Sequence, residues 1–257
     1  MTRTATKSGS DSLAPGFAEP VLSAQGLSKR FGNIAALDGV SFSVRPGEVL
    51  GLIGPNGAGK STLFECMAGV LPVDGGKVVA GDRALAPHER NSILFYVPDG
   101  ISPWPDQTVG WALDFAIGFF RGRKTLRQHV IEQLDLSRLL RQPIGTLSKG
   151  QRKRALLAIG LLAPQGVLLV DEPFDGLDLR QARDVARALR EHAAGGRTLF
   201  LSIHQISDAA RFCDRFILLS NGKVQGEGTV DELSGIASAQ SGSPPSTDLE
   251  EVFLALA

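Results

Sequence analysis

The chain of 257 residues carries 27 Lys and Arg against 27 Asp and Glu, which excludes the general electrostatic attraction to nucleic acid that a basic surplus provides. Its hydrophobic fraction of 43% and charged fraction of 21% are typical of a water-soluble globular protein with a sizeable core. Glycine accounts for 30 residues, about 12% of the chain against a usual ~7%, so part of the backbone is expected to need glycine's conformational freedom.

The first part of the chain is polar. Residues 1–19 are rich in Ser, Thr, Gly and Ala and are predicted to form a disordered tail without the apolar core of a secretory signal. The longest uncharged stretch, residues 155–170, is interrupted by Pro164 and is too short for a spanning helix, which needs roughly 20 apolar residues. The 2 cysteines, Cys66 and Cys213, indicate no disulfide framework and favour a reducing, cytoplasmic setting.

The next segment, residues 20–238, is predicted to form one α/β domain. Short β-prone runs occupy residues 21–44, and later apolar runs are typical of strands buried on both faces of a parallel sheet. Helices over 60–69 and 179–194 alternate with these runs, as expected for such a sheet covered on both sides. The buried strands are predicted over residues 48–54, 166–172, 198–203 and 215–220.

The middle and the end of the chain follow other patterns. Residues 108–163 have a mostly helical pattern without a clear strand, and we interpret about 100–163 as a helical subdomain inserted into the α/β domain. Residues 239–247 belong to a Ser-, Gly- and Pro-rich stretch that starts at 234, and they are predicted to be a flexible linker. Residues 248–257 are predicted to form a short amphipathic helix.

A Gly-rich turn after the first buried strand matches the pattern G-x-x-x-x-G-K-[ST] without a mismatch. Glycines let consecutive backbone N–H groups turn inward around phosphate oxygens, and the helix that follows adds its positive dipole end. Lys60 is placed to reach the β- and γ-phosphates, and the Ser61 hydroxyl to ligate Mg²⁺. The sequence therefore predicts a nucleoside triphosphate site. Its expected binding residues are Gly54, Pro55, Asn56, Gly57, Ala58, Gly59, Lys60, Ser61 and Thr62.

Two acidic residues stand at the end of the strand predicted over 166–172. Asp171 ends an apolar run and suits a carboxylate that holds Mg²⁺ through water. Glu172 comes next, and a second carboxylate at the same strand tip can polarise an attacking water. A surface acidic pair would give the same two letters, but the phosphate loop upstream favours the catalytic interpretation.

The segment between these two motifs indicates the family. Residues 147–151, Leu-Ser-Lys-Gly-Gln, resemble the LSGGQ signature of ABC-type ATPases, and only Lys149 departs from it. Residues 174–178 resemble the D-loop of that family, and His204 follows a predicted strand where the family has its switch histidine. Phe31 resembles the aromatic residue that stacks on adenine. The resemblance covers roughly residues 21–233.

The resemblance implies a P-loop NTPase (RecA-like) α/β core with a mostly parallel sheet, an N-terminal antiparallel β subdomain and an inserted helical subdomain. It also implies that two cassettes pack head to tail and sandwich two ATP molecules with Mg²⁺. Each ATP then meets the phosphate loop of one cassette and a serine and a backbone N–H of the other. The residues implied in that contact are Ser148, Gly150, Gln151 and, from the D-loop, Asp178.

The catalytic roles that the resemblance implies fall on Lys60, Glu172, His204 and Asp99, and the metal roles on Ser61, Asp171 and Asp99. Asp99 is the serious departure, because the family usually has a glutamine at this position, the Q-loop, where it contacts Mg²⁺ and the attacking water. Our hypothesis is that Asp99 keeps an indirect metal contact and alters the hydrolysis rate.

Several residues also have plainer interpretations. Phe31 would serve as ordinary core, Lys149 as a solvated charge and His204 as a polar strand end. Trp111, Phe115 and Phe119 recur at i, i+4 and i+8, a spacing more typical of a core face than of a binding surface. We therefore expect these aromatics in the core. In the family a groove beside the helical subdomain receives a helix of a membrane subunit, and the alternative is that Trp104 and some neighbouring apolar residues line this groove.

The resemblance implies the ATP-hydrolysing subunit of an ABC transporter, cytoplasmic and held at the inner face of the cell membrane by a separate membrane-spanning permease. A second cassette, in a homodimer, is the other expected partner, and no nucleic acid is expected. The ending Leu249-Glu250-Glu251-Val252-Phe253 resembles cassettes of the ABC-2 exporter type. Two alternatives stay open: a soluble ABC ATPase that acts on nucleic acid or ribosomes, and a weakly hydrolysing regulatory nucleotide-binding module.

Overall fold

The computed structural model describes residues 19–204, 206–241, 246 and 248–256. The predicted N-terminal tail lies outside these residues except for Glu19, as does much of the predicted linker. The strands are β1 (Leu22–Phe31), β2 (Ile34–Val44), β3 (Val49–Ile53), β4 (Gly75–Ala80), β5 (Arg83–Ala84), β6 (Leu94–Val97), β7 (Val167–Asp171), β8 (Thr198–Ile203), β9 (Arg215–Ser220) and β10 (Lys223–Gly228). The helices are α1 (Lys60–Ala68), α2 (Val109–Phe120), α3 (Arg127–Gln133), α4 (Lys149–Leu162), α5 (Leu179–Ala194), α6 (Ile206–Phe212), α7 (Val230–Ser241) and α8 (Leu249–Leu256).

The N-terminal part forms an antiparallel sheet of 4 strands in the order β2-β1-β4-β5. Strands β1 and β2 make a hairpin that closes at the pair Phe31 and Ile34, where Gly32 takes a φ of +57°. The sequence reading did not find β4 and β5, because β4 buries only Val78 and Val79 and carries two glycines. The sheet confirms the predicted antiparallel β subdomain.

The main sheet has 6 strands in the order β10-β9-β3-β8-β7-β6, and β10 is antiparallel to its neighbour while the others are parallel. Strands β3, β7, β8 and β9 are buried at every residue, which is why their sequences are continuous apolar runs. The carboxyl ends of β3, β6, β7 and β8 therefore meet at one edge. This mostly parallel sheet confirms the predicted P-loop NTPase core.

Apolar packing covers both faces of the main sheet. On one face, α1 and the antiparallel sheet enclose a cluster in which Phe64 and Phe42 contact Phe200 with ring centroids 4.8 and 5.4 Å apart. On the other face, residues of α2 to α8 pack against β7, β8 and β9. The strands of the main sheet are therefore packed between two apolar layers.

Helix α2 corrects one prediction about the core. Its buried face consists of Val109, Ala112, Leu113 and Ala116, the side that packs against α4. The aromatics are on the opposite side, with exposed fractions of 40% for Trp111, 37% for Phe115 and 69% for Phe119. The prediction that this stripe lies in the core is wrong. Helix α2 has two apolar stripes at helical spacing, and the stripe with the smaller side chains allows the closer helix contact.

The C-terminal region contains more helix than its composition suggests. Helix α7 runs to Ser241 and so covers the first part of the Ser- and Gly-rich stretch that was expected to be a flexible linker. Leu233 and Ala237 are buried in the core of the main sheet and hold this helix in place. Helix α8 buries Leu249, Val252 and Leu256 along one side. None of the helices in the described part of the chain combines the length and the apolar character needed to cross a bilayer.

Candidate nucleotide and hydrolysis site

The phosphate loop connects the end of β3 at Ile53 to the start of α1 at Lys60. A Cβ on Gly54 would lie 2.2 Å from the carbonyl oxygen of Leu219, and a Cβ on Gly59 would lie 2.5 Å from that of Ala36. Gly57 and Gly59 also have φ values of +82° and +105°, in the region that favours glycine. Only glycine allows the loop to pass this close to its neighbours, so the backbone N–H groups can turn toward an anion at the N-terminus of α1.

Lys60 lies under this loop and is buried. Its Nζ donates hydrogen bonds to the carbonyl oxygens of Gly54 at 2.7 Å and Pro55 at 3.1 Å. Burial lowers the pKa of Lys60, and the nearby carboxylates of Glu172 and Asp171 oppose that shift. A buried ammonium at the mouth of a glycine cradle fits the charge and shape of a polyphosphate.

Asp171 is the last residue of β7 and Glu172 comes directly after it, and β8 supplies a partner that the sequence reading missed. Asp171 is buried and lies opposite Ser202 in the parallel register of β7 and β8. The Ser202 hydroxyl donates to Asp171 Oδ1 and accepts from the backbone N–H of Glu172 at 2.9 Å. Ser202 therefore fixes both acidic residues, and the only signal for it in the sequence is a polar residue within a buried strand.

The Glu172 backbone has a φ of +48°, an uncommon value for a residue with a side chain. A left-handed conformation of this kind costs about 1–2 kcal/mol, and strained backbone tends to occur at functional sites. The hydrogen bond from its N–H to Ser202 holds one side of the residue. On the other side, the Glu172 carbonyl oxygen accepts from Lys153 Nζ at 2.8 Å.

The donor set suits a Mg²⁺ ion. The Ser61 hydroxyl is exposed on the first turn of α1, and the Asp171 carboxylate interacts with neighbouring Lys60. A hydroxyl and a carboxylate are hard oxygen ligands of the type that Mg²⁺ prefers. Asp99, the third predicted metal ligand, has a lysine as its partner: its Oδ1 accepts a hydrogen bond from Lys153 Nζ. Its carboxylate lies with those of Glu172 and Asp175 in a cluster whose oxygens are within 4.8 Å of one another.

The signature segment begins α4. Ser148 is the N-cap: its Oγ accepts from the Gln151 N–H at 3.3 Å, and Gln151 Oε1 accepts from the Ser148 N–H at 2.9 Å. A Cβ on Gly150 would lie 2.7 Å from the Gly176 carbonyl oxygen, so the start of α4 packs directly on the D-loop. Among the described residues no hydrogen bond joins the signature to the phosphate loop. The signature therefore lies beside the D-loop, and Ser148 is exposed there.

The D-loop joins β7 to α5, and two of its acidic residues behave differently. Asp178 is the N-cap of α5, where its Oδ1 accepts from the Gln181 N–H at 2.8 Å. Asp175, which the sequence reading did not select, accepts from Lys149 Nζ in an ion pair. This pairing lowers the pKa of Asp175 and raises the pKa of Lys149. Lys149 is therefore paired rather than a free solvated charge.

The remaining predicted residues lie at two different edges of the site. His204 follows β8 and, with Glu172 and Asp178, lines a cleft of about 640 Å³ beside the D-loop. Phe31 ends β1 in the antiparallel sheet and is 48% exposed, which excludes the core interpretation and leaves its ring free to stack on a base. Lys29 Nζ lies 5.7 Å from the centroid of that ring.

The sequence has many relatives. Residues 37–175 match a family model described as ABC transporter. The Nod factor export ATP-binding protein I of Ralstonia nicotianae is 34% identical over 220 residues, 83% of this chain and 68% of that protein. The hemin import ATP-binding protein HmuV of Thermobifida fusca is 34% identical over 232 residues, 83% of this chain and 78% of that protein. YbhF of Escherichia coli, a probable multidrug ABC transporter ATP-binding protein, is 33% identical over 244 residues, and the chain spans only 42% of its length.

The fold is also similar to solved structures. An ATP-binding subunit of an ABC transporter superimposes with a TM-score of 0.81 at 27% identity, over 92% of this chain and 99% of that one. The similarity therefore includes the antiparallel sheet, the main sheet and the helical segment between β6 and β7. It places the phosphate loop, the acidic strand end and the signature segment in one known architecture.

Proposed function

The chain belongs to the ABC transporter family as an ATP-binding ATPase cassette, and from this premise we propose that it drives transport through a separate membrane-spanning permease. The observation that supports this most is the meeting of a glycine cradle, buried Lys60 and the fixed pair Asp171 and Glu172 at one sheet edge. The cassette would lie in the cytoplasm, at the inner face of the cell membrane.

In the proposed reaction the phosphate loop N–H groups and Lys60 bind and orient the phosphates of ATP. Ser61 and Asp171 would hold Mg²⁺, which supplies neutralisation of the charge on the β- and γ-phosphates. Glu172 accepts a proton from the attacking water, as its place beside Asp171 and its fixed backbone allow. His204 lines the same cleft as Glu172, which supports assigning it to stabilise the charge that develops on the transferred group.

A second copy of the chain would complete the site. The signature segment has no hydrogen bond to its own phosphate loop in the described chain, and Ser148 is exposed at the N-terminus of α4. A helix N-terminus attracts anions, so this end of α4 suits the γ-phosphate of an ATP held by the partner cassette. Hydrolysis removes that phosphate and loosens the dimer.

The permease would dock on an aromatic ridge, defined here as Trp104, Trp111, Phe115 and Phe119. The rings of Trp111 and Phe115 stack with centroids 5.0 Å apart, and those of Phe115 and Phe119 stack at 5.6 Å. Trp104 contacts the first two rings at 5.8 and 5.1 Å from the loop after Asp99. Contiguous exposed aromatics are typical of protein-binding surfaces, and this ridge begins in the loop that follows Asp99.

The double variant Trp111→Ala/Phe115→Ala is expected to reduce binding to the permease at least about 10-fold, because buried aromatic anchors supply most of the energy of an interface. The measurement is a pull-down in which the immobilised cassette captures its partner from a detergent extract of membranes of the source cells. The amount of the multi-span protein that is captured is compared between variants, and the protein is identified by mass spectrometry. Val70→Ala, at another exposed apolar residue, is the control. Binding of a fluorescent ATP analogue reports whether the double variant is folded. Capture at the wild-type level by the double variant would exclude the ridge as the dock.

Export is the proposed direction, as for transporters of the ABC-2 type. The ending of the chain resembles that type, and a relative named as an export protein supports the proposal. An import relative of the same identity means that similarity alone does not decide the direction. We expect inside-out vesicles that contain the cassette and its permease to accumulate cargo when ATP is added outside. ATP-dependent release of preloaded cargo would instead establish import.

A further inference from the structure

Two ion pairs account for both departures from the family pattern. Asp99, in place of the usual glutamine, pairs with Lys153, and Lys149, in place of the usual glycine, pairs with Asp175. The two lysines are one helical turn apart on α4, so both project from the same side of that helix. Each of them pairs with one member of an acidic cluster that also contains Glu172. The first turns of α4 therefore supply the positive charge that this cluster needs.

Lys153 is the buried member of this arrangement, with only 4% of its side chain exposed. Its Nζ donates to Asp99 Oδ1, to the Glu172 carbonyl oxygen at 2.8 Å and to the Asp171 carbonyl oxygen at 3.4 Å. An ammonium has three N–H donors, and here each of them has an acceptor. A buried charge is tolerated only when it is paired in this way, so the Asp99 carboxylate is what allows a lysine at this position.

We propose that Lys153, with Asp99 as its counter-ion, is a positioning residue that holds the Glu172 peptide in its left-handed conformation and so aims the Glu172 carboxylate at the attacking water. This inference rests on the proposed role of Glu172 as the base. Ser202 fixes the N–H of Glu172, and Lys153 fixes its carbonyl oxygen. The φ of +48° at Glu172 needs such support on both sides, because the relaxed backbone would turn the side chain elsewhere.

The inference changes the role assigned to Asp99. As a metal contact it would bind Mg²⁺ through water. As the partner of Lys153 it instead holds the ammonium group that donates to the Glu172 carbonyl oxygen. Because Lys153 is on the same helix as the signature residue Ser148, a movement of α4 at the dimer interface would also move the Glu172 peptide. Lys153 thus connects the signature, the Q-loop position and the end of β7.

The variant Lys153→Gln tests the proposal. We expect kcat for ATP hydrolysis to fall about 10- to 100-fold, since a displacement of about 1 Å in a reacting group has effects of this size. KM for ATP and the affinity for a fluorescent ATP analogue are expected to stay within about 3-fold of wild type, a difference below about 1 kcal/mol. Lys77→Gln removes an exposed lysine on β4 and is the matched control. Wild-type kcat in Lys153→Gln, or equal losses of kcat and ATP affinity, would overturn the proposal.

Asp99→Asn provides the second test. Asparagine has nearly the same shape as aspartate, so the substitution removes the negative charge without creating a cavity. We expect it to lower kcat without raising the Mg²⁺ concentration needed for half-maximal rate. The double variant Lys153→Gln/Asp99→Asn is expected to be no slower than Lys153→Gln alone, because the carboxylate left unpaired beside Glu172 is gone. Independent, multiplying losses or an increased Mg²⁺ requirement would support a metal contact and overturn the pairing role.

These outcomes are distinct from a failure of the proposed function. If Glu172 is not the base, Glu172→Gln turns over ATP at the wild-type rate whatever Lys153 does. If Glu172 is the base and Lys153 has only a structural role, Glu172→Gln is inactive while Lys153→Gln loses thermal stability and ATP affinity together with kcat. The positioning role requires an inactive Glu172→Gln together with a loss in kcat alone for Lys153→Gln. Should Lys153→Gln fail to fold, Asp99→Asn decides between the pairing role and the metal contact.

Discussion

Replacing Glu172 by glutamine is expected to lower the steady-state rate of ATP hydrolysis by about 10²- to 10⁴-fold, the usual contribution of a general base. Glutamine has nearly the same shape as glutamate but does not accept the proton of the attacking water. The hydrogen bonds that fix residue 172 involve its main-chain N–H and carbonyl oxygen, so the substitution leaves them in place. ATP binding is therefore expected to persist.

The measurement for Glu172→Gln is phosphate release at saturating ATP, together with elution from a sizing column with and without ATP. Because the variant binds ATP without consuming it, we expect an ATP-dependent dimer that the wild type forms only transiently. Glu250→Gln, at an exposed position of α8, is the control for loss of a carboxylate. A persistent monomer would contradict the head-to-tail arrangement. Negligible turnover by the wild type itself would favour the weakly hydrolysing regulatory module.

Local sequence patterns were sufficient for the phosphate loop and the strand ends. The phosphate loop needs glycine at Gly54 and Gly59, because a Cβ at either position would clash with a neighbouring carbonyl oxygen. These glycines lie within one short segment, so they form a contiguous pattern in the sequence. Strands buried on both faces likewise leave continuous apolar runs, which is why β3, β7, β8 and β9 were predicted close to their observed bounds. Where a site or a buried strand is formed by residues that are adjacent in the sequence, the sequence pattern is enough to predict it.

The supporting residues of the site could not be predicted in this way. Lys153 and Asp99 are 54 positions apart, and Ser202 and Asp171 are 31 apart. Their contacts depend on the order β8-β7-β6 and on the orientation of α4, neither of which a motif specifies. Lys153 also follows the signature in a run of basic residues, where a solvated charge is the ordinary expectation. Only the fold shows that Lys153 and the adjacent Arg154 are buried while Arg152 is half-buried.

Helix α2 illustrates a second limit of sequence reading. Apolar residues recur at helical spacing on two of its faces. The pattern therefore predicts a helix but does not say which face is buried. Large aromatics suggest the core by their burial tendency, yet the close approach to α4 needs the alanines. The exposed ridge is consequently a structural finding, and it makes the docking proposal specific to four named residues.

Replacing Lys60 by methionine is expected to reduce strongly the stabilisation of the protein by ATP while leaving the nucleotide-free fold as stable as before or more so. Burial lowers the pKa of Lys60, which means that the fold disfavours its charged form when no anion is bound. Methionine fills similar space without that desolvation cost. A hydrogen bond to a charged group contributes about 1.5–3 kcal/mol, so the affinity for ATP should fall roughly 10- to 150-fold.

The measurement for Lys60→Met is the midpoint of thermal unfolding with and without ATP, supported by titration with a fluorescent ATP analogue. Lys77→Met, on the exposed side of β4, controls for loss of a lysine and should keep the full shift with ATP. The contrast with Glu172→Gln separates the two halves of the site: Lys60→Met loses affinity, whereas Glu172→Gln keeps affinity and loses turnover. A wild-type ATP shift in Lys60→Met would mean that the loop N–H groups alone carry phosphate binding. The buried ammonium would then serve only to close the loop on the carbonyl oxygens of Gly54 and Pro55.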